Sequence, residues 1–166
     1  TDCEMSISVA LLVIDGDLPR IMTVTEVLQH NVDRLVDILK AQLRVEKGEI
    51  EDRIHARTLE QIFIEQRIYQ GIEQEKTQDG VVQAVFDGLK PHAKQIKREV
   101  TRDDVDTLLR IPIRRISLYD IERAKKEMRE LKARLKQIRH DLKEIVPFTI
   151  GYLGALIDKY RDWFPR

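Results

Sequence analysis

The 166 residues carry 29 Lys+Arg against 29 Asp+Glu, with 35% of positions charged and 5% aromatic. Such a composition, rich in Glu, Lys, Arg, Leu and Ile, favours long helices over a compact globule. The zero balance argues against a stand-alone nucleic-acid module, the single Cys3 excludes a disulfide framework, and no apolar run is long enough to span a bilayer.

With no signal-peptide pattern, the expected compartment is the cytoplasm. The length suits roughly one domain. The chain opens on Thr1-Asp2-Cys3 without an initiator Met, inside the run-up to a strand, and is read as a piece of a longer protein. Charge is unevenly spread: residues 1–83 hold nine Lys+Arg and 16 Asp+Glu, residues 84–166 hold 20 and 13. The halves sit near −7 and +7, which reads as two faces that attract each other.

In chain order, Ser6 to Ile14 form an apolar run that stops at Asp15-Gly16-Asp17 and Pro19, a strand entering a tight turn. Ile21 to Val24 read as the returning strand. Residues 1–24 are too few for a domain and are expected to be the end of a preceding one. Asp15-Gly16-Asp17 superficially resembles a metal-binding carboxylate pair, but no third carboxylate completes a site, so the turn is the better reading.

Thr25 is read as an N-cap or first-turn residue, with Glu26 favouring a helix start. Leu28, Val32, Leu35, Leu39 and Leu43, then Ile50 and Ile54, keep helical spacing with a weak point at Gly48. The reading is one helix over about 25–56, the first arm of a coil assigned to residues 25–57. Residues 58–118 are punctuated by Gly and Pro and read as a small helical head. Its apolar clusters are Leu59 to Tyr69 and Val81 to Leu89, followed by a capping box at Thr101 and Asp104.

Ser117 is read as the next N-cap, with Asp120 at the capping-box position. Behind them Ile121, Ala124, Met128, Leu131, Leu135, Ile138, Leu142 and Ile145 step by three and four, a sustained heptad seam. Pro147 is expected to kink this helix near residue 146, within a return arm spanning 119–166. Two long helices flanking a head must run oppositely if they pair. The expected fold is therefore mainly α: a long antiparallel coiled-coil hairpin with a small helical globular head at its tip, and a short β segment at the N-terminus. In that pairing Ile54 lies near Ile121 and Leu28 near Ile145.

Several of these runs resemble the breakage-and-rejoining A subunits of type IIA DNA topoisomerases, DNA gyrase and topoisomerase IV. The resemblance covers nearly the whole chain. It rests on Leu12 to Pro19 followed by Thr23 to Leu28, on Arg57-Thr58-Leu59-Glu60 as a short helix opening, and most specifically on Leu109-Arg110-Ile111-Pro112-Ile113-Arg114-Arg115-Ile116-Ser117 before Asp120-Ile121-Glu122. Pro112 and the wording around Phe63 to Tyr69 depart from the gyrase pattern and look more like topoisomerase IV-type A subunits of the Bacteroidetes lineage.

The resemblance implies the coiled-coil arm and exit gate of an enzyme that changes DNA topology by ATP-dependent double-strand passage. It implies a homodimer through the head, with Leu108, Leu109, Ile111, Ile113, Arg114, Arg115 and Ile116 as gate candidates; the bland alternative is that these residues form the head's own core. It also implies duplex DNA and a B subunit as partners of the full protein. No cofactor is expected on this piece, since ATP and Mg2+ would belong to the B subunit. The family cleaves DNA with a tyrosine that follows an arginine. Tyr69, Tyr119, Tyr152 and Tyr160 follow Ile, Leu, Gly and Lys, so no catalytic residue is expected here. The competing function is a non-enzymatic antiparallel coiled-coil adaptor or scaffold. His30, His55, His92 and His140 are scattered and read as surface or satisfied residues rather than ligands, and Lys90, Lys94, Lys97 and Arg98 around His92 read as a solvated basic face.

Overall fold

The computed structural model describes residues 11–72, 75–112, 114, 116 and 119–163. The expected strand start at Ser6 to Ala10 lies outside them. The architecture is mainly α with one two-stranded sheet. The chain divides into two compact units, one of residues 1–43 with 141–166, the other of residues 44–140.

In the first unit, β1 (Leu11–Asp15) pairs antiparallel with β2 (Leu18–Met22), with Leu12 opposite Ile21 and Asp15 opposite Leu18. Gly16 has φ 65°, the left-handed value that a two-residue hairpin loop demands and that glycine adopts without a Cβ penalty. The return strand thus starts at Leu18, three residues before the expected Ile21, and takes in Pro19. A two-stranded sheet has only edge strands, where a proline's missing N–H costs little. Arg20 Nη1 donates to Asp15 Oδ2 at 2.7 Å, and this bond outweighs burial in holding the Asp15 carboxyl below its ordinary pKa.

Helix α1 runs from Val24 to Glu65 without a break. Its cap is Thr23, and Thr25 stands in the first turn, the second of the two places read for it. The Thr23 hydroxyl accepts from the Glu26 N–H at 3.2 Å, while the Glu26 carboxylate accepts from the Thr23 N–H at 2.6 Å and from its hydroxyl at 2.8 Å. This is the reciprocal Thr-x-x-Glu capping box. The bonds from Thr23 lower the Glu26 pKa, the backbone one most.

At its other end α1 overruns the expected stop by nine residues, because no Gly or Pro interrupts 49–65. It ends where Arg67 turns left-handed at φ 53°, after which α2 (Ile68–Gly71) begins. The second unit continues with α3 (Gln78–Leu89), a 3-10 turn over Lys90–His92 and α4 (Arg102–Leu109). Helix α5 (Ile121–Lys143) is capped by Asp120, whose Oδ1 accepts from the Arg123 N–H at 3.0 Å. The cap therefore sits at Asp120 rather than at the expected Ser117, which lies outside the described residues.

Helix α6 (Ile145–Tyr160) follows a break at Glu144, with φ −105° and ψ 53°. The interruption falls three residues before Pro147, one turn ahead of the ring, where the carbonyl that the ring would strike must be turned aside. No helix among the described residues is long and apolar enough to cross a membrane.

Candidate functional site

The second unit is organised around one apolar cluster. Leu59, Ile62, Phe63 and Ile64 enter it from the last two turns of α1, Ile68 from α2, Val82, Val85 and Leu89 from α3, and Val105 and Leu108 from α4. The sequence groups around Leu59 and Val85 thus face each other in three dimensions. Phe63 and Tyr69 meet as tilted rings with centroids 6.2 Å apart. Gly88 is the last residue but one of α3. A Cβ there would sit 2.7 Å from Cγ2 of buried Ile68, so the absence of a side chain is what lets α2 and α3 approach so closely.

The helices of this core carry strong local start signals. Thr77 caps α3, accepting from the Gly80 N–H at 3.1 Å. Thr101 and Asp104 form the capping box of α4 that the sequence indicates. Asp104 also faces His55, a buried residue of α1, with Nε2 to Oδ2 at 3.2 Å. Burial pushes the Asp104 pKa upward, but the Thr101 N–H and hydroxyl together with His55 outweigh it and hold the carboxyl below the ordinary range. Arg98 links the same corner, 2.5 Å from Asp52 on α1 and 3.6 Å from Asp104.

Within this unit α1 and α5 lie side by side and antiparallel. Arg134 binds Glu46 with Nε at 2.8 Å and Nη2 at 2.9 Å; Arg139 reaches Glu51 at 2.8 Å; Arg57 reaches Glu127 at 3.4 Å and Glu60 at 2.8 Å. The hydrogen bond to Glu60 is the main cause of a raised Arg57 pKa. Arg57, Glu60 and Gln61 share a recess with Asp120 and Arg123, whereas Ile54 shares another with Lys132 and Leu135. The register is thus shifted from the expected one: Ile54 faces the middle of α5, not Ile121. The nine additional residues of α1 carry the start of α5 up to Glu60 and Gln61.

The seam residues divide accordingly. Leu135 and Ile138 are buried, Met128 and Leu131 are half-buried, and Ile121 is exposed. In the first unit Leu39 and Leu43 are buried, and Leu35, Leu142 and Ile145 are half-buried. Leu28, at 61% exposed, and Val32, at 42%, are left on the surface, so the expected pairing of Leu28 with Ile145 is not made.

The gate candidates are equally mixed. Leu108 is 4% exposed and serves the head's interior, so it has no surface to offer another molecule. Leu109, Ile111 and Ile116 pack half-buried against that interior, and Arg114 is exposed. Ile113 and Arg115 lie outside the described residues.

The histidines and the basic cluster take distinct places. His30 lies 3.6 Å from Asp15, His55 on Asp104, His92 is half-buried and His140 exposed. Lys90 pairs with Asp87 at 2.6 Å; its hydrogen bond, the largest cause, lowers the Asp87 pKa. Among the described residues no three His, Cys, Asp or Glu side chains gather to hold a metal ion.

Sequence reading missed the His55–Asp104 pair, whose members are 49 residues apart, and the identities of the Glu46, Glu51 and Arg57 partners. The only sequence signal for the latter is the opposite charge bias of the two arms.

Residues 1–150 match the family model for the A subunits of DNA gyrase and topoisomerase IV. Over 160 residues the chain is 35% identical to the A subunit of DNA topoisomerase 4 from Borreliella burgdorferi, an alignment covering 96% of this chain and 26% of that protein. The chain thus spans about a quarter of the length of the curated relative it matches. On both measures, this chain belongs to the family of DNA gyrase and topoisomerase IV A subunits.

Proposed function

We propose that this chain is the coiled-coil arm and exit-gate dimerisation region of a type IIA topoisomerase A subunit. In the full protein it would act on duplex DNA with a B subunit, in ATP-dependent double-strand passage. The supporting observation is that α1 and α5 run antiparallel, cross-linked by Glu46–Arg134 and Arg57–Glu127, and deliver a separate apolar core at the end where Leu59 leaves α1 and Ile121 begins α5. An arm that must transmit or resist opening needs lateral stiffness, which paired helices supply and a single helix does not. On this reading the chain cleaves nothing itself, and ATP with its Mg2+ belongs to the B subunit.

The gate contact would be two-fold, the same patch on each copy. Its candidate surface is the half-buried and exposed set Leu109, Ile111, Arg114 and Ile116, with Ile113 and Arg115 as the neighbouring sequence candidates.

Sedimentation of the chain at micromolar concentration tests this reading. A monomer–dimer equilibrium is expected. Arg114→Glu is expected to shift it towards monomer without loss of helicity, while Leu108→Asp unfolds the head. A chain that stays monomeric when concentrated would count against the gate.

A further inference from the structure

Helix α5 carries a cationic stripe. Lys125, Arg129, Lys132, Lys136 and Arg139 recur at steps of four, three, four and three, and all five are exposed. This spacing keeps them on one face, beside but not within the apolar seam of Met128, Leu131, Leu135 and Ile138. At 1.5 Å per residue the stripe is about 21 Å long. Only its ends are tied to carboxylates: Lys125 to Glu122 at 3.4 Å and Arg139 to Glu51 at 2.8 Å. Among the described residues Arg129, Lys132 and Lys136 have no ion-pair partner.

The stripe does not stand alone. Lys132 and Arg139 line a recess of about 340 Å³ together with Lys97 and Arg98, from the loop before α4. The carboxylates in that recess, Glu51 and Asp52, are each already engaged by an arginine, so Lys97 and Lys132 add uncompensated positive charge there. Two separate sequence elements, each basic, thus converge on one side of the paired helices.

We infer that this face tracks the phosphate backbone of a duplex nucleic acid. A straight file of cations about 21 Å long, with no aromatic side chain among them and no built pocket for a base, suits a regular polyanion read by charge and not by sequence. The inference builds on the proposed function, which places a duplex in the full protein's work, and it assigns that duplex a specific contact on the arm.

The test is fluorescence anisotropy of the whole 166-residue chain with a short labelled DNA duplex over a salt series. Measurable binding is expected at about 50 mM salt, with affinity falling linearly on a log–log plot. Removing three phosphate contacts in Arg129→Ala/Lys132→Ala/Lys136→Ala is expected to reduce the slope by roughly 2–3, at about 0.9 per contact. Lys90→Ala, whose cation is spent on Asp87, is expected to leave the slope unchanged. Conservative Lys132→Arg/Lys136→Arg retains charge and should retain the slope, and circular dichroism confirms that each variant keeps its helices.

No binding at low salt, or an unchanged slope in the triple alanine variant, overturns the inference. Binding of an acidic polypeptide in place of the duplex overturns it too, and makes the face a protein contact. Sedimentation of the unmodified chain separates the two ideas: a chain that dimerises but does not bind the duplex at low salt sinks only the stripe, and a strict monomer that binds the duplex with the expected slope sinks only the gate.

Discussion

Arg134 grips Glu46 with two parallel hydrogen bonds, Nε at 2.8 Å and Nη2 at 2.9 Å, across the two antiparallel helices of the second unit. The planar guanidinium matches the carboxylate fork, so this pair fixes lateral register as well as adding attraction. Both side chains remain partly exposed, which limits its worth.

A double-mutant cycle with Glu46→Gln and Arg134→Gln is therefore expected to give a coupling of about 0.3–1 kcal/mol, reduced by salt. The charge-swapped Glu46→Arg/Arg134→Glu chain should regain much of what either reversal alone loses. Denaturant midpoints measure it. A coupling of zero at low salt would mean that apolar packing alone holds the helices in register.

Two glycines in helices are expected to respond in opposite directions to alanine. At Gly48 an added Cβ meets nothing within 4 Å, so Gly48→Ala gains helix propensity and should stabilise by about 0.5–1 kcal/mol. At Gly88 the same Cβ lands 2.7 Å from Ile68 Cγ2, a methyl held close to the backbone on the branched Cβ and unable to swing aside inside the core. Gly88→Ala should cost about 1–3 kcal/mol despite better propensity. Adding Ile68→Ala, which removes that methyl, to Gly88→Ala should recover part of that cost. Thermal melts of the four chains decide it, and a Gly88→Ala chain as stable as the parent would deny the close approach of α2 and α3.

Asp104 gives the head an acid-sensitive joint. Its carboxyl titrates below the ordinary value near 3.8 in the folded chain, because Thr101 and His55 favour the charged form more than burial opposes it. A group with a lowered folded pKa stabilises the fold fully above its unfolded pKa. That stabilisation is lost as pH falls through 3.8 towards the folded value. Asp104→Asn is expected to flatten the dependence of stability on pH in that acid window and to cost about 1 kcal/mol at neutral pH through the broken capping box. Urea denaturation from pH values below 3.8 up to neutral reads both effects. An unchanged acid slope in the variant would place the sensitivity elsewhere, with Asp15, Glu26 and Asp87 the other carboxylates lowered by hydrogen bonds.

The parts legible in the sequence are those written in local periodicity. The helix that carries most of the heptad, Ile121–Lys143, the Thr101–Asp104 box and the Asp15-Gly16 turn each depend on residues within a few positions of one another, and each is present in the structure. Register was not legible. The end of α1 is set by a left-handed Arg67, a conformation that its residue type does not announce, and every facing pair follows from that stop. The partition of the Leu108 to Ile116 run was also hidden: helix α4 turns Leu108 and Val105 inwards on one face, and only three-dimensional packing tells an interior leucine from its half-buried neighbour Leu109. His55 illustrates the same limit, since nothing near it in sequence foretells Asp104.

Pro147 offers the cleanest separation of local from tertiary causes. The break between α5 and α6 falls at Glu144, and Pro147 both lacks an N–H and would press its ring on the Lys143 carbonyl in a continuous helix. The hydrogen bonds around it favour helix continuation: the Phe148 backbone N–H already donates to the Glu144 carbonyl at 3.2 Å, and the Thr149 hydroxyl donates to the Ile145 carbonyl at 2.8 Å. If the proline alone imposes the break, Pro147→Ala should join the two helices, bring Glu144 to helical backbone angles and raise stability by up to about 3 kcal/mol. Backbone chemical shifts of residues 142–148 report the angles directly. A Glu144 that keeps its non-helical shifts in Pro147→Ala would show instead that the burial of Thr149 and Leu39 holds the bend, making it a property of the packed unit and not of one residue.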